Sequence, residues 1–435
     1  MSLSLLFFLG GYCFLLLRAF VSRPIFGLYA YLFAFYAHPV SRWWGYSLPE
    51  FRWSFVAALV TLLAIFIKTN KKDLIWFQFK ETKLFIFFTI FVIAQCVWAL
   101  SIDVHMIYVM LVIKFSILIF LIQNSIKNSK DAVGFIIANL IGCVYFGYLA
   151  ASAGGGRLEG IGGPGIEAAN QLAQHLAVVL FFSAYLLFFK LGWKLLLFVP
   201  LILINLNTIM LTESRGAILA IALTGVFSLF YIPPNYKKQF LFLASLGAIA
   251  FSVLLGPQII DRFTSLEQNS SGELNDKSAQ SRFVIIDAQI EMFKESPVLG
   301  YGHRSTLLLS PFYIDSTYRT TSSKGSDGEA RRASHNFIMS LLVDHGIVGA
   351  VLYGMIIFLC LKRLIAVRKL RAVVFTEEGE KLKLLLTGFT LGLLCFMISG
   401  LASNHKVNEI DIWLYAIIPL LYHLLLKNME ENNAS

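Results

Sequence analysis

Long apolar runs dominate this chain, and their length decides which folds are open to it. Candidate spans cover residues 3–17, 24–40, 53–67, 84–102, 105–122, 132–152, 171–189, 195–211, 217–232, 239–255, 347–361, 382–402 and 412–426. About 20 apolar residues in a helix cross the hydrocarbon core of a bilayer, and within lipid a helix satisfies its own backbone. The expectation is therefore an all-α polytopic integral membrane protein with about 12–14 transmembrane helices. Composition agrees: 57% of residues are apolar and 14% charged, against about 25% charged in a soluble domain. The 39 Phe residues suit helix surfaces that face lipid.

A net charge of +10 raises the question of nucleic acid. The distribution of the charge answers it. More than half of the 36 Lys and Arg fall in short connections on one side of the spans. Clusters at Lys68/Lys71/Lys72, Lys127/Lys130, Lys190/Lys194, Lys237/Lys238 and Lys362/Arg363/Arg368/Lys369/Arg371 alternate with weakly charged connections. This is the positive-inside pattern, and it marks one face as cytoplasmic. No nucleic-acid partner is expected. By parity the N-terminus lies outside. Residues 2–17 lack a basic leader and an A-x-A site, so the first run reads as a retained helix. Cys13, Cys96, Cys143, Cys360 and Cys395 all sit within apolar runs, at no metal-ligand or disulfide spacing.

One long polar interval breaks the apolar series, from about Gly256 to His335. It divides the chain into residues 1–255 (about ten spans), 256–346 (an external loop with short helices) and 347–435 (the last spans and a short cytoplasmic tail). Within it, Phe283, Ile286, Ile290 and Phe293 recur at helical spacing, so Ser278–Glu295 reads as an amphipathic helix on the bilayer or the bundle. Pro297 stops it. Tyr301–Arg304 reads as a turn, and residues 315–333, rich in Ser, Thr, Gly and charge, as a mobile flap. His335–Asn336 opens a further helix, which Asp344-His345-Gly346 interrupts before the next span.

The chemistry-bearing residues gather at the outer face. Arg215 follows Thr212-Glu213-Ser214 at a span end, where a guanidinium either pairs with Glu213 or clamps an anion. Arg282 lies in the first turns of the amphipathic helix, a position that favours anions. Arg guanidinium groups bind phosphate oxygens in bidentate fashion. His335 is either a helix-opening hydrogen-bonder or a proton acceptor. His303 has the same two readings. Arg331 and Arg332 read as solvated charges or as contacts to lipid phosphate. The Gly-rich run Gly154–Gly165, with Arg157, lacks the Lys-Ser/Thr of a phosphate-binding P-loop. No Asp-x-Asp pair, His-Glu-x-x-His or Gly-x-Ser-x-Gly is present. Polar residues inside spans are few, with Gln95, Lys114, Asn139 and Asn205 standing out, which argues against an ion-coupled transporter.

Thr212–Leu219 (T-E-S-R-G-A-I-L), Ser281-Arg282 with Ser296–Gly302, and His335-Asn336 with Asp344–Gly349 together resemble the O-antigen ligase/polymerase superfamily of bacterial inner-membrane proteins. The resemblance covers about residues 150–410. The run from Arg23-Pro24 through His38-Pro39 and Gly45–Pro49 is similar to exosortase-linked O-glycosylation ligases. The resemblance implies a GT-C-like glycosyltransferase working at the periplasmic face without metal or cofactor. Its donor would be a glycan on undecaprenyl pyrophosphate. Its acceptor would be a hydroxyl of lipid A-core, a protein or another glycan, with inversion at the sugar. Arg215 and Arg282 would hold the pyrophosphate, and His335 would activate the acceptor. Arg157, His303, Arg304, Asn336 and Arg331 are expected to contact substrate, and the segment 305–333 to bind the acceptor. A ligase, an O-antigen polymerase and a lipid-linked glycan transporter all remain open at this point.

Overall fold

The computed structural model describes residues 2–154, 157–189, 195–254, 277–324, 328–370, 376–404 and 407–434. Each of the thirteen expected spans is a helix. Ten precede the polar interval: α1 Leu3–Val21, α2 Ile25–Ala37, α3 Trp53–Lys68, α4 Lys80–Ala94, α5 Ile102–Ser125, α6 Ser129–Ser152, α7 Ala169–Ala184, α8 Leu195–Leu211, α9 Arg215–Tyr231 and α10 Lys237–Leu254. The cap between α10 and the last spans holds α11 Lys277–Glu295 and α12 Ser305–Tyr313. Then come α13 Phe337–Lys369, α14 Glu377–Gly400 and α15 Ile410–Ala434.

Among the described residues, eight helices are long and apolar enough to cross a membrane. Three apolar helices, α3, α8 and α9, are shorter. So are α2 and α4, with 13 and 15 residues, which rise roughly 20 and 23 Å. In α2, burial explains the tolerance for a short helix. Nearly all of it is covered by protein, so its ends need not reach the lipid headgroups. The centre of the bundle is α7 and α14, each 83% buried along its apolar window, whereas α10 is 0% buried and peripheral.

The connections segregate to two ends. At the lysine-rich end Arg23 pairs with Asp131 at 2.5 Å, Arg363 with Glu81 at 3.0 Å, and Ser129 Oγ donates to Glu378 at 2.6 Å. At the other end Gln171 donates to Asn404 O, and the Leu100 N–H donates to Tyr301 O. Buried polar groups are also more numerous than the sequence suggested. Glu81, Gln123, Gln174, His175, Lys383 and Asp411 are all buried within helices. Lys383 pairs with Glu380 one turn away on its own helix, whereas Glu81, Gln123, Gln174, His175 and Asp411 find partners on other helices far away in sequence, as Glu81 does in Arg363.

The cap is locked to the bundle where α13 breaks. Gly346 has φ 61° and ψ −168°, so the helix stops there and restarts at once. A break leaves backbone donors and acceptors without helical partners. The segment 297–302 supplies them. The Tyr301 and Gly302 N–H groups donate to Val343 O and Asp344 O, and those of Ile347 and Val348 donate to Pro297 O and Val298 O. The two backbones lie so close that a Cβ on Gly346 would sit 2.3 Å from Val298 O, and one on Gly300 2.5 Å from Gly346 N. Both positions also have positive φ, which glycine adopts without strain.

Side chains complete the lock. Gln95, at the end of α4, donates to Leu299 O at 2.7 Å and Asp344 O at 3.0 Å. Its Oε1 lies 2.6 Å from His345 Nδ1. Asp344 accepts the N–H groups of Arg304 and Ser305 at 3.1 and 2.9 Å, capping α12.

Segment 315–333, expected as a flap, contains two short strands. Thr320–Lys324 (β1) and Ala330–Arg331 (β2) pair as an antiparallel hairpin, and the Arg332 N–H ties its end to Ser310 Oγ. A Ser/Thr/Gly composition suggested irregular chain, yet threonine also favours strands once a partner is present. The start of the polar interval (residues 255–276, with Arg262) lies outside the described residues. So do Lys190, Lys194, Arg371, His405 and Lys406.

Candidate functional site

At the end of the bundle under the cap lies a polar cavity of about 240 Å3. Arg157, Arg215, Arg282, Arg332 and His335 line it together with Asn170, Glu213 and Ser399. They enter from four parts of the chain, with Arg332 and His335 sharing the connection between β2 and α13. Arg157 comes from the Gly-rich loop after α6. Its Nη2 donates to Asn170 Oδ1 at 3.1 Å and its Nε to Thr212 O at 3.3 Å. Arg215 is the first residue of α9, directly after a tight turn in which Glu213 has φ 53°. Next to it, Gly216 lets α9 approach the end of α14: its Cβ would meet that of Ala402 at 3.0 Å.

Arg282 lies on α11 beside Ser281, whose Oγ accepts from Arg332 Nη2 at 3.1 Å. His335 lies just before α13, in a segment pinned by Gln289 of α11. Gln289 Nε2 donates to Ser334 Oγ and Thr306 Oγ1, each at 3.0 Å. Asn336 caps α13 by accepting the Met339 N–H, and its amide donates to Leu401 O.

The electrostatics favour an anion. Among the described residues, four guanidinium groups line the cavity with one carboxylate, Glu213, while Glu159 pairs with Arg157 at 3.5 Å from outside the lining. The N-terminal ends of α7 and α9 also open here, through Asn170 and Arg215, and helix N-termini carry partial positive charge. His335 responds to the same field. Burial, then the charges of Arg332, Arg282 and Arg157, lower its pKa from 6.5 to about 4. Its imidazole is therefore neutral at physiological pH, with a lone pair able to take a proton.

The structure thus brings Arg157, Arg215, Arg282 and His335 into one cavity. Arg332, read from sequence as a solvated charge or lipid contact, joins them. His303, Arg304, Asn336 and Arg331 do not line it. His303 is 6% exposed and stacks on Tyr108 with ring centres 4.5 Å apart. Its N–H donates to His105 Nδ1 at 3.0 Å, and its own Nδ1 lies 3.9 Å from Asp344. Arg304 is exposed at the start of α12, and Arg331 belongs to β2. Arg332 had one readable signal: it lies three residues before His335.

Residues 200–354 match the O-antigen ligase family. That stretch contains Arg215, Arg282, Arg332 and His335, while Arg157 precedes it. No curated protein matches the chain.

Proposed function

From a chain that belongs, over residues 200–354, to the O-antigen ligase/polymerase superfamily, we propose a glycosyltransferase acting on a polyprenyl-diphosphate-linked glycan. The donor is a glycan on undecaprenyl pyrophosphate, and the acceptor is a hydroxyl of lipid A-core, a protein or a glycan. The protein lies in the bacterial inner membrane with the cavity facing the periplasm, as the lysine-rich opposite end supports. The observation that carries the reading is the gathering of four arginines and a neutral histidine in one cavity at the membrane boundary.

The chemistry follows from that geometry. The bond between the sugar anomeric carbon and the diphosphate oxygen breaks as the acceptor oxygen attacks. Negative charge grows on the departing diphosphate, and Arg215 and Arg282 stabilise it, with Arg157 and Arg332 completing the clamp. Such preorganised stabilisation is often the largest catalytic effect. His335 removes the acceptor's proton, and polyprenyl diphosphate leaves. His303, Arg304, Asn336 and Arg331 act at a distance by holding the cap. A transporter needs its site near the bilayer midplane; here every residue lining the arginine cavity lies at one end of the bundle. Transfer to a non-glycan acceptor is the ligase reading and repeated transfer to a glycan the polymerase reading.

The test is to incubate the purified protein with undecaprenyl-pyrophosphoryl glycan and candidate acceptors and to follow release of the lipid diphosphate. Release that requires both the acceptor and Arg215 supports the proposal. Release equal in Arg215→Ala and the unmodified protein refutes the clamp. Product length separates one transfer from many.

A further inference from the structure

The Gly-rich loop that brings Arg157 to the cavity is held from its far side by Arg42. Arg42 Nη2 donates to Ile161 O at 2.6 Å and Nε to Ala37 O at 3.1 Å, and the guanidinium lies 5.7 Å from the Tyr145 ring centre. Arg42 is only 7% exposed. All three partners are neutral, and among the described residues no carboxylate pairs with it. A cation withdrawn from water without a counter-charge is costly.

Beneath Arg42 opens an apolar cleft of about 790 Å3. Its floor is α2, through Phe33 and Tyr36, and its walls are α1 and α6. Lining residues on α6 run from Gly134 to Leu149, about 22 Å of helix. Phe7 on one wall and Ile141 on the other are 74% and 57% exposed, so the cleft faces the bilayer. Trp43 and Trp44 close it at the end where Arg42 sits, and Trp at that level marks the membrane–water interface.

We propose that this cleft binds an anionic glycerophospholipid of the adjoining leaflet, with its phosphate on Arg42 and one acyl chain along α6. The charge complementarity selects the occupant: an apolar bed ending in a buried, uncompensated guanidinium at headgroup level. The donor's diphosphate has its own cationic cavity, lined by none of the residues that line this cleft. A bound lipid neutralises Arg42 and steadies Ile161, and with it the loop that carries Arg157. The inference rests on the membrane fold and is independent of the transfer reaction.

Native mass spectrometry of the detergent-purified full chain, loaded with phosphatidylglycerol or phosphatidylcholine, tests it. One phosphatidylglycerol should be retained in preference to phosphatidylcholine. Arg42→Gln keeps amide donors for Ile161 O but removes the charge, and should retain about tenfold less phosphatidylglycerol. Ala138→Trp fills the cleft without touching Arg42 and should lose it as well; it decides the matter should Arg42→Gln not fold. Equal retention of the two lipids, or full retention of phosphatidylglycerol in Ala138→Trp, overturns the proposal. So does preferential retention of polyprenyl phosphate, which would assign the cleft to the donor's tail. Catalysis is not part of the readout, so a failed transfer assay leaves this result interpretable.

Discussion

His335 and His303 sit in the same cap, and both are shielded from water, yet they are built for different work. His303 is stacked on Tyr108 and tied by its backbone to His105, next to Asp344. His105 Nδ1 accepts that backbone hydrogen, so Nε2 carries the ring proton and donates to Val92 O at 2.8 Å. The surroundings of His303 fasten the cap to α5. His335 instead faces three guanidinium groups across an open cavity, and burial together with their charges keeps its lone pair free of a proton. Burial is common to both. What separates them is whether the neighbours complete the group or leave it poised.

The comparison breaks if His335 behaves as a structural residue. His335→Gln should slow transfer by on the order of 10²–10⁴ without lowering the melting temperature; release of polyprenyl diphosphate measures the first and thermal unfolding in detergent the second. A loss of only a few-fold would put His335 in the class of His303. Next in size, Arg215→Ala and Arg282→Ala should each cost on the order of 10²–10³ in turnover, the effect of removing one donor to developing charge. Charge-reversing Arg215→Glu should be worse than either.

The pH profile sharpens the same contrast. The folded pKa of His335 is depressed to about 4, so kcat/KM should hold as the pH falls from neutral and then decline through about pH 4. Stability follows the same sign. Between about 6.5 and 4 the unfolded chain takes up a proton that the folded site refuses, so this contribution is present above about pH 6.5 and is lost as the pH drops. A decline in kcat/KM centred near pH 6.5 would mean that neither burial nor the arginines hold the pKa of His335 down.

On the latch side the expected effects fall on stability. Asp344→Asn leaves one of two capping N–H groups poorly satisfied in a buried place and should destabilise by about 1–3 kcal/mol, with turnover per folded molecule little changed. His303→Phe keeps a ring against Tyr108 and should be the mildest, within about 1 kcal/mol. A large rate loss in His303→Phe would erase the distinction.

Much of this architecture is legible from the chain. Thirteen apolar runs become thirteen helices because period and length are local properties. The interruption at Asp344-His345-Gly346 is real for the same reason, as is the helix over Ser278–Glu295, although that helix buries Ile285, Ala288 and Met292 and leaves Phe283 and Ile290 of the expected stripe exposed. The meeting of Arg215, Arg282 and His335 follows from their placement at one membrane boundary. The latch is another matter. His105 meets the His303 backbone across 198 positions, and Gln95 meets Asp344 across 249. Neither pairing leaves a periodic trace, and a lone Gln or His in an apolar run looks the same whether it is satisfied or poised. Arg332 was hard to read because, its nearness to His335 aside, a charge in a polar stretch does not say which way it turns.

The interrupted helix at Gly346 also has a consequence for how the chain is made. Residues 297–302 leave the ribosome before residues 343–348, and each stretch holds the missing hydrogen-bond partners of the other. Until the later one is synthesised, the earlier must stay hydrated, at the surface and outside the lipid. The cap therefore cannot settle before the span below it has been threaded, and a nascent chain halted between the two would carry its amides and carbonyls to the membrane unmatched.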